Sequence, residues 1–536
     1  MNVLMLYPKF SAGWLRYGEE ARRKVVGRPG LPPLGLVTLA SYLPDDFRLR
    51  LIDRNLDEVR EADWAWADLV FVSWMFGIQE DDYAACRDAA RRHGKGLAVG
   101  GAHCVDVPER LEREADWVCI GEGEPVIDAM VADIRAGRRG RRYGPERFDL
   151  SRSRVPRFEL LRKPNRYAMH ALQFSRGCPF RCEFCDIPDN FGRVPRTKDP
   201  RQMLDELSAL RASGYLGMIF WVDDNFIGHP NAARAMLGEV ASWNERNGHP
   251  FFYYTQATLN LADHPDLLEA MSTAGFQFVF FGIESAEAEQ LAITKKSQNL
   301  RRDPLERLAR IRAAGIHPFA GFIVGFDGET EGIFRAQRDF IQRTGIGHVT
   351  MSLLDARPNT PLRRRLVSEG RLVDGHPTAV PPINFIPKGE LTKRQLLEGY
   401  AWLMKEIYDP DNFFPRITEA ICHTRRRPAL QAALQRWYGI PIFLRLVLRL
   451  GLLAPTGKRA FWRALVTIMR RNPVAVDNFV VDSIAYYDAH LGAQTIEEVV
   501  REHLASPRPT DVLDEVVPPG WVGAWPSASS TAASVG

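Results

Sequence analysis

The feature that most constrains this chain is an alternation, repeated in two blocks, of short apolar runs with amphipathic stretches. In residues 1–140 the apolar runs are Val3–Tyr7, Arg48–Asp53, Leu69–Ser73, Leu97–Val99 and Trp117–Ile120. Helical patterns at Leu34–Tyr42, Asp82–His93 and Val126–Ala136 accompany them. Strands that alternate with helices imply βαβ units and a parallel sheet, so this block predicts a Rossmann-like α/β domain. Turn residues fall at the strand C-terminal ends: Tyr7-Pro8, Val72-Ser73, Gly100-Gly101 and Gly121-Glu-Gly-Glu124. In open α/β sheets that is the edge where ligands bind.

An Arg- and Pro-rich stretch, 141–167, reads as an ordered linker. The alternation then resumes over 168–372. Strands are expected at Ala171–Phe174, Met218–Val222, Phe251–Thr255, Phe278–Ile283, Phe319–Val324 and Val349–Leu354, and helices at Met203–Ala212, Ala232–Trp243 and Leu305–Ala314. Six such units predict an incomplete barrel or a wide open parallel sheet. A helical domain is expected over 373–510, with helices at Leu391–Tyr408, Phe414–Cys422, Ala429–Tyr438, Lys458–Arg471 and Ile496–Leu504. Residues 511–536 hold Pro, Gly, Ser and Ala with little to bury, and are expected to be disordered.

Composition narrows the function classes. With 45% hydrophobic and 25% charged residues over 536 positions, collagen, low-complexity disorder and a polytopic membrane protein are excluded. A net charge of +4 gives no global reason to expect a nucleic-acid partner. Seven cysteines are too sparse for a disulfide scaffold, which points to a reducing, cytoplasmic setting where thiols can bind metal. The N-terminus lacks a positive n-region, and its apolar run is too short for a signal peptide. No run of about 18 uncharged apolar residues exists to cross a membrane. The nearest, Trp437–Ala454, is interrupted by Arg445 and Arg449.

The chemistry concentrates in Arg176-Gly-Cys178-Pro-Phe-Arg-Cys182-Glu-Phe-Cys185, just after the first strand of the second block. Three thiolates on one short loop can converge on a single soft metal centre. Protein-bound clusters and structural zinc sites normally take four ligands, so three suggest an open position. A zinc site completed by a distant residue such as His170 is the alternative reading.

The loop resembles the signature of the radical S-adenosylmethionine (radical SAM) family: Cys-x3-Cys-x2-Cys, with an aromatic, here Phe184, before the last cysteine. The resemblance implies a partial (β/α)6 barrel with the loop after its first strand. It also implies that Cys178, Cys182 and Cys185 hold three irons of a 4Fe-4S cluster, whose fourth iron binds SAM. Other segments fit the same family. Val222-Asp223-Asp224-Asn-Phe226 stands where members present acidic groups to the SAM ammonium, although both carboxylates could instead cap the next helix. Glu284 and Ser285 of Gly282-Ile-Glu-Ser stand where the ribose or carboxylate is often contacted. Gly321 and Gly325 belong to a segment that resembles the one beside the adenine, with Asp327 in place of the usual proline.

The first block resembles the cobalamin-binding domain that precedes the barrel in one large radical SAM subgroup. The likeness rests on Leu31-Pro-Pro-Leu-Gly-Leu36, Val72-Ser73, Val99-Gly100-Gly101 and Ile120-Gly121-Glu122-Gly-Glu124, which makes Ser73, Gly100, Gly101, Gly121 and Glu122 the expected cobalamin contacts. The Asp-x-His-x-x-Gly motif that supplies a cobalt ligand in many cobalamin proteins is missing. The first block has only His93 and His103, and Asp374-Gly-His376 lies after the barrel and lacks the glycine. A domain that binds nothing, or another cofactor, is the alternative. The helical extension, with Asn384-Phe-Ile-Pro387 at its start, looks similar to that of hopanoid-methylase-like members.

The resemblance implies a cobalamin-dependent radical SAM methyltransferase that acts on an unactivated carbon of a lipid or secondary metabolite, fed by a flavodoxin- or ferredoxin-type electron donor. Three other readings stand beside it. One is a radical SAM cyclase or rearrangement enzyme. Another is a methylthiotransferase with a second cluster on Cys86, Cys104 and Cys119, which read better as small buried hydrophobes. The third is a zinc-stabilised binding protein. Finally, Thr424–Pro473 holds eleven Arg or Lys residues and no Asp or Glu, with Trp437, Tyr438, Phe443, Phe461 and Trp462 among them. That composition fits either an interfacial helix on anionic lipid, hence peripheral contact with the inner membrane face, or a solvated basic face.

Overall fold

The structure, a computed structural model, describes residues 1–10, 25–300, 302–373, 383–424, 439–507, 512–521 and 523. It divides into two compact units. One comprises residues 1–16, 28–178 and 190–251, the other residues 17–27, 179–189 and 252–536.

The first unit is built on strands β1 (Asn2–Tyr7), β2 (Arg48–Asp53), β3 (Leu69–Ser73), β4 (Gly96–Gly100), β5 (Trp117–Cys119) and β6 (Arg141–Tyr143), in the order β2-β1-β3-β4-β5-β6. Every pair in this sheet is parallel. Parallel strands covered on both faces read as continuous apolar runs. Val3, Leu4, Met5 and Leu6 accordingly have no exposed surface. The sequence reading counted five strands, and β6 is the addition, inside the stretch read as linker. Its Arg-Arg-Tyr composition carries no apolar signal. Backbone pairing with β5 makes it a strand, and the Tyr143 hydroxyl donates to Asp133 at 2.6 Å.

The same unit carries β7 (His170–Leu172), a two-residue antiparallel ladder of β8 (Ser175–Arg176) with β9 (Arg196–Thr197), and β10 (Gly217–Trp221). The second unit carries the rest of β11 (Phe251–Ala257), then β12 (Phe276–Glu284), β13 (His317–Val324) and β14 (Val349–Leu353). The second sheet runs β14-β13-β12-β11-β10-β7, six strands as expected of a partial barrel. Each expected barrel helix is present, at Pro200–Ala212, Pro230–Arg246 and Pro304–Ala313.

Helices also dominate the C-terminal part, at Lys393–Ile407, Pro410–Cys422, Lys458–Arg471 and Val476–Ala505. The expected Ala429–Tyr438 lies outside the described residues. The last helix is far longer than the expected Ile496–Leu504. Its first half buries polar residues, Asn478, Asp482 and Ser483, so apolar periodicity does not mark it. Asp482 Oδ1 instead lies 2.9 Å from His317 Nε2 of β13. The stretch 512–521 is not disordered as expected. Leu513 and Val517 are buried, Val517 N donates to Pro387 O at 2.9 Å, and Gly389 N donates to Val517 O at 2.9 Å. Two apolar residues four apart suffice once backbone pairing holds them. Among the described residues no helix is long and apolar enough to cross a membrane.

Candidate functional site

The cysteine segment is the excursion between β8 and β9. Gly177 has φ +95°, and a Cβ there would meet Gly192 O at 2.7 Å, so only glycine lets the strand turn into the loop. Cys178 N donates to Gly192 O and Cys185 N to Cys182 O, both at 3.1 Å. Cys182 is buried, and Cys178 and Cys185 are half-buried. Among the described residues no three His, Cys, Asp or Glu side chains stand together as a metal-holding group. The three thiols thus share a loop, and His170 is engaged elsewhere: its ring lies tilted against Tyr215, centroids 4.2 Å apart, and its Nε2 lies 3.0 Å from Pro164 O.

In the first unit, the two carboxylates that follow β10 hold the stem of this loop. Asp223 accepts from Ser175 N and from Ser175 Oγ (2.7 Å), and Asp224 accepts from Gly177 N at 2.8 Å. Neither caps the next helix, which excludes that alternative. His229 does so, accepting from Ala232 N at 3.2 Å. Burial pushes the Asp223 carboxyl up to about 7. Its Oδ2 is buried with no hydrogen-bond partner among the described residues. An orphaned carboxylate oxygen suits a cationic group such as an ammonium, so the residues present fit the family's expectation.

Glu122 occupies a different role from a loop contact open to a ligand. Its carboxylate bonds Arg196 (2.5 Å), Arg176 (2.8 Å) and Phe148 N (3.0 Å), while Glu124 bonds Arg176 at 2.5 Å. Burial alone would raise the Glu122 carboxyl, but the Arg196 and Arg176 guanidiniums outweigh it and hold it below the usual range. The loop after β5 is thereby clamped to β8 and β9, the two ends of the cysteine segment.

At the other strand ends Ser73 is buried, Gly100 O accepts from Trp74 N at 2.7 Å, and Gly101 has φ +117°. A Cβ on Gly101 would meet Trp74 O at 2.4 Å, so β3 and β4 loops approach backbone to backbone. Gly121 is also left-handed (φ +86°), and Phe76 stands half-exposed beside these loops. His103 is buried beneath Trp74, with its Nδ1 3.1 Å from Asp106.

In the second unit, Glu284 ends β12 with φ +70° and is buried against the Lys296 ammonium. Burial would depress the lysine, but Glu284, Cys182 and Cys185 more than offset it and raise its pKa. Lys296 also lies 5.8 Å from the Phe184 ring, and Gln298 Nε2 lies 3.9 Å from Cys182 Sγ. Burial raises the Cys182 thiol above its usual range, and the Lys296 ammonium offsets only part of that rise. Phe184 packs on Phe326 at 6.0 Å. Ser285 Oγ accepts from Glu287 N at 3.1 Å. Gly321 has no room for a side chain, since a Cβ would meet the Phe280 ring at 2.8 Å. Gly325 N donates to Glu329 at 2.7 Å, and burial pushes the Glu329 carboxyl up to about 8. Asp327, where the family usually has proline, bonds Arg371 (2.5 Å) and Arg365 (2.8 Å), and Arg365 bonds Glu183 of the cysteine segment at 2.7 Å.

Sequence reasoning missed Lys296, Gln298, Arg365 and Arg371. No motif marks them, because each reaches its partner only through the fold. Cys86, Cys104 and Cys119 are all buried, and burial pushes Cys86 and Cys119 up to about 12 and Cys104 upward. They behave as small hydrophobes, which leaves the second-cluster reading without support.

Comparison with known proteins places this geometry. Residues 172–341 match the model of the radical SAM superfamily, and residues 360–503 match a domain of unknown function, DUF4070. An uncharacterized methyltransferase of Synechocystis sp. is 35% identical, covering 98% of each chain. The hopanoid C-2 methylase of Rhodopseudomonas palustris is 33% identical, over 86% of this chain and 88% of the methylase. The fold is shared with the cobalamin-dependent SAM radical enzyme OxsB, solved with aqua-cobalamin and SAM bound. The TM-score is 0.60 at 16% identity, covering 94% of this chain and 80% of OxsB.

Proposed function

The chain belongs to the radical SAM superfamily and, within it, to the methyltransferase family that includes the hopanoid C-2 methylase, and on that footing we propose a cobalamin-dependent C-methyltransferase that acts on an unactivated carbon of a polycyclic lipid. The observation that carries the reading is the three-thiol loop between β8 and β9 in a chain 33% identical, over 86% of its length, to the hopanoid C-2 methylase. Cys178, Cys182 and Cys185 would hold three irons of a 4Fe-4S cluster. Phe184, Asp223 and Asp224, with Glu284, Ser285, Gly321 and Gly325, would receive SAM in the 168–372 barrel. Ser73, Gly100, Gly101 and Gly121 would line the cobalamin edge of residues 1–140, with Glu122 bracing it and no histidine on cobalt. Bound together, these groups supply reductive sulfonium cleavage and a transferable methyl group. The protein's part is to hold them and to exclude water. A flavodoxin- or ferredoxin-type protein would feed the electron.

Turnover with the true substrate under anaerobic conditions is expected to yield 5′-deoxyadenosine and S-adenosylhomocysteine together. Each methyl delivered consumes two SAM molecules, one cleaved and one demethylated. Product analysis by mass spectrometry decides it. Substrate turned over with 5′-deoxyadenosine but never S-adenosylhomocysteine would make the protein a cyclase or rearrangement enzyme.

Peripheral membrane contact belongs to the same reading. Ile440, Leu444, Leu448 and Leu452 are spaced four apart and about half-exposed, and Trp462, Val466 and Met469 are exposed beside Lys458, Arg459 and Arg463. Arg445 and Arg449 already bond Val25 O (3.1 Å) and the Tyr487 hydroxyl (3.2 Å), whereas Lys458, Arg459 and Arg463 are exposed. Each is worth about 1 kcal/mol at an anionic surface. Changing Lys458, Arg459 and Arg463 to Gln should therefore weaken low-salt vesicle binding about a hundredfold. Equal flotation of variant and wild type would leave only a solvated basic face.

A further inference from the structure

Glu183 stands in the turn that carries two of the three loop thiols, directly after Cys182 and two places before Cys185. Cys185 N closes that turn on Cys182 O at 3.1 Å. Glu183 is buried, and each of its polar groups is held. Its N–H donates to Thr294 O at 3.2 Å, and its carbonyl accepts from Leu362 N at 2.9 Å. Both carboxylate oxygens accept from Arg365, Oε1 from Nε at 2.7 Å and Oε2 from Nη2 at 3.2 Å.

Arg365 is itself fixed. It lies on the helix Pro361–Ser368, whose Leu362 and Leu366 are buried. Its Nη1 donates to Asp327 at 2.8 Å and to Glu369 at 3.2 Å. Asp327 is in turn gripped by Arg371, Nη2 to Oδ1 at 2.5 Å and Nη1 to Oδ2 at 2.9 Å. Arg371 is only 1% exposed, and its Nε donates to Ile386 O at 2.8 Å. An unbroken relay thus runs from the Ile386 backbone through Arg371, Asp327 and Arg365 to Glu183. A fork-to-fork guanidinium–carboxylate pair fixes orientation as well as charge, which the point charge of an ammonium does not. A ligand turn held in place beforehand has less freedom to lose when it takes up metal.

We propose that Arg365 is a positioning residue for the iron–sulfur cluster, acting through Glu183 to hold the turn that carries Cys182 and Cys185. The proposal rests on the assignment of those thiols to the cluster.

The test follows release of iron from the anaerobically reconstituted full-length protein to a ferrous chelator, alongside the urea midpoint of the second unit. Arg365→Gln should quicken release about tenfold, the lower end of what loss of a ligand's supporting partner costs a metal site, at a midpoint close to that of wild type. Arg365→Lys should not restore retention, because an ammonium cannot bond both Glu183 oxygens and Asp327 at once. Glu183→Gln breaks the same fork from the other side and decides the matter if Arg365→Gln does not fold. The double variant should release iron no faster than the faster single, since both changes remove one interaction. The electron paramagnetic resonance signal of the reduced cluster should broaden in each variant, as the turn samples more than one arrangement. Wild-type retention in the folded variants, additive effects in the double variant, or losses that only track the urea midpoint would overturn the proposal. A wild type that takes up no iron would instead overturn the cluster assignment on which it rests.

Discussion

Replacing Cys178, Cys182 and Cys185 together with Ala is expected to take the anaerobically purified protein from brown to colourless, and from about four irons per chain to background. The thiols are the only cysteines on the loop, and the other four lie elsewhere: Cys86, Cys104 and Cys119 in the first unit and Cys422 on the helix Pro410–Cys422. Loss of the three side chains should leave the fold in place. The stem is held without them, by Asp224 on Gly177 N and by Glu122 and Glu124 on Arg176 and Arg196. Iron and sulfide analysis, the visible spectrum and circular dichroism check these points together. With the cluster gone, formation of 5′-deoxyadenosine should cease. A triple variant that retained its iron and absorbance would overturn the central assignment. A colourless wild type with one bound zinc would favour the zinc-stabilised binding protein instead.

Changing Lys296 to Met is expected to cost about 3–5 kcal/mol of stability, the usual penalty when one partner of a buried ion pair is removed. Lys296 is 6% exposed and Glu284 7%, so both are largely withdrawn from water. The methionine fills the volume of the lysine stem but leaves the Glu284 carboxylate in a buried pocket at a left-handed backbone position. A lower urea midpoint for the second unit is the readout. The double variant Lys296→Met/Glu284→Gln removes both charges and should recover more than half of the loss. Were the double variant as unstable as the sum of its singles, the pair would not be coupled and the packing around β12 alone would explain the effect.

How much of this was legible in the sequence follows from where the information resides. The sequence by itself determined the two parallel sheets, because strand and helix periodicities are local and a buried parallel strand such as β1 is apolar throughout. It also determined the three-thiol loop, because three thiols within eight residues need no fold to be neighbours. β6 escaped notice, since an Arg-Arg-Tyr strand owes its existence to backbone pairing along β5. The first half of Val476–Ala505 escaped too, because the helix buries Asp482 against His317, a partner 165 residues away. Only the tertiary structure decided that Asp223 and Asp224 brace the cysteine loop rather than cap a helix, and that Glu122 is a clamp. Only the tertiary structure brought Lys296 to Glu284 and Cys182, and Arg365 to Glu183 and Asp327. The physical reason is common to all of these. A charged side chain declares its residue type in the sequence, but its energy and its role depend on which opposite charge the fold places within hydrogen-bond reach, and on how much water the fold removes around the pair.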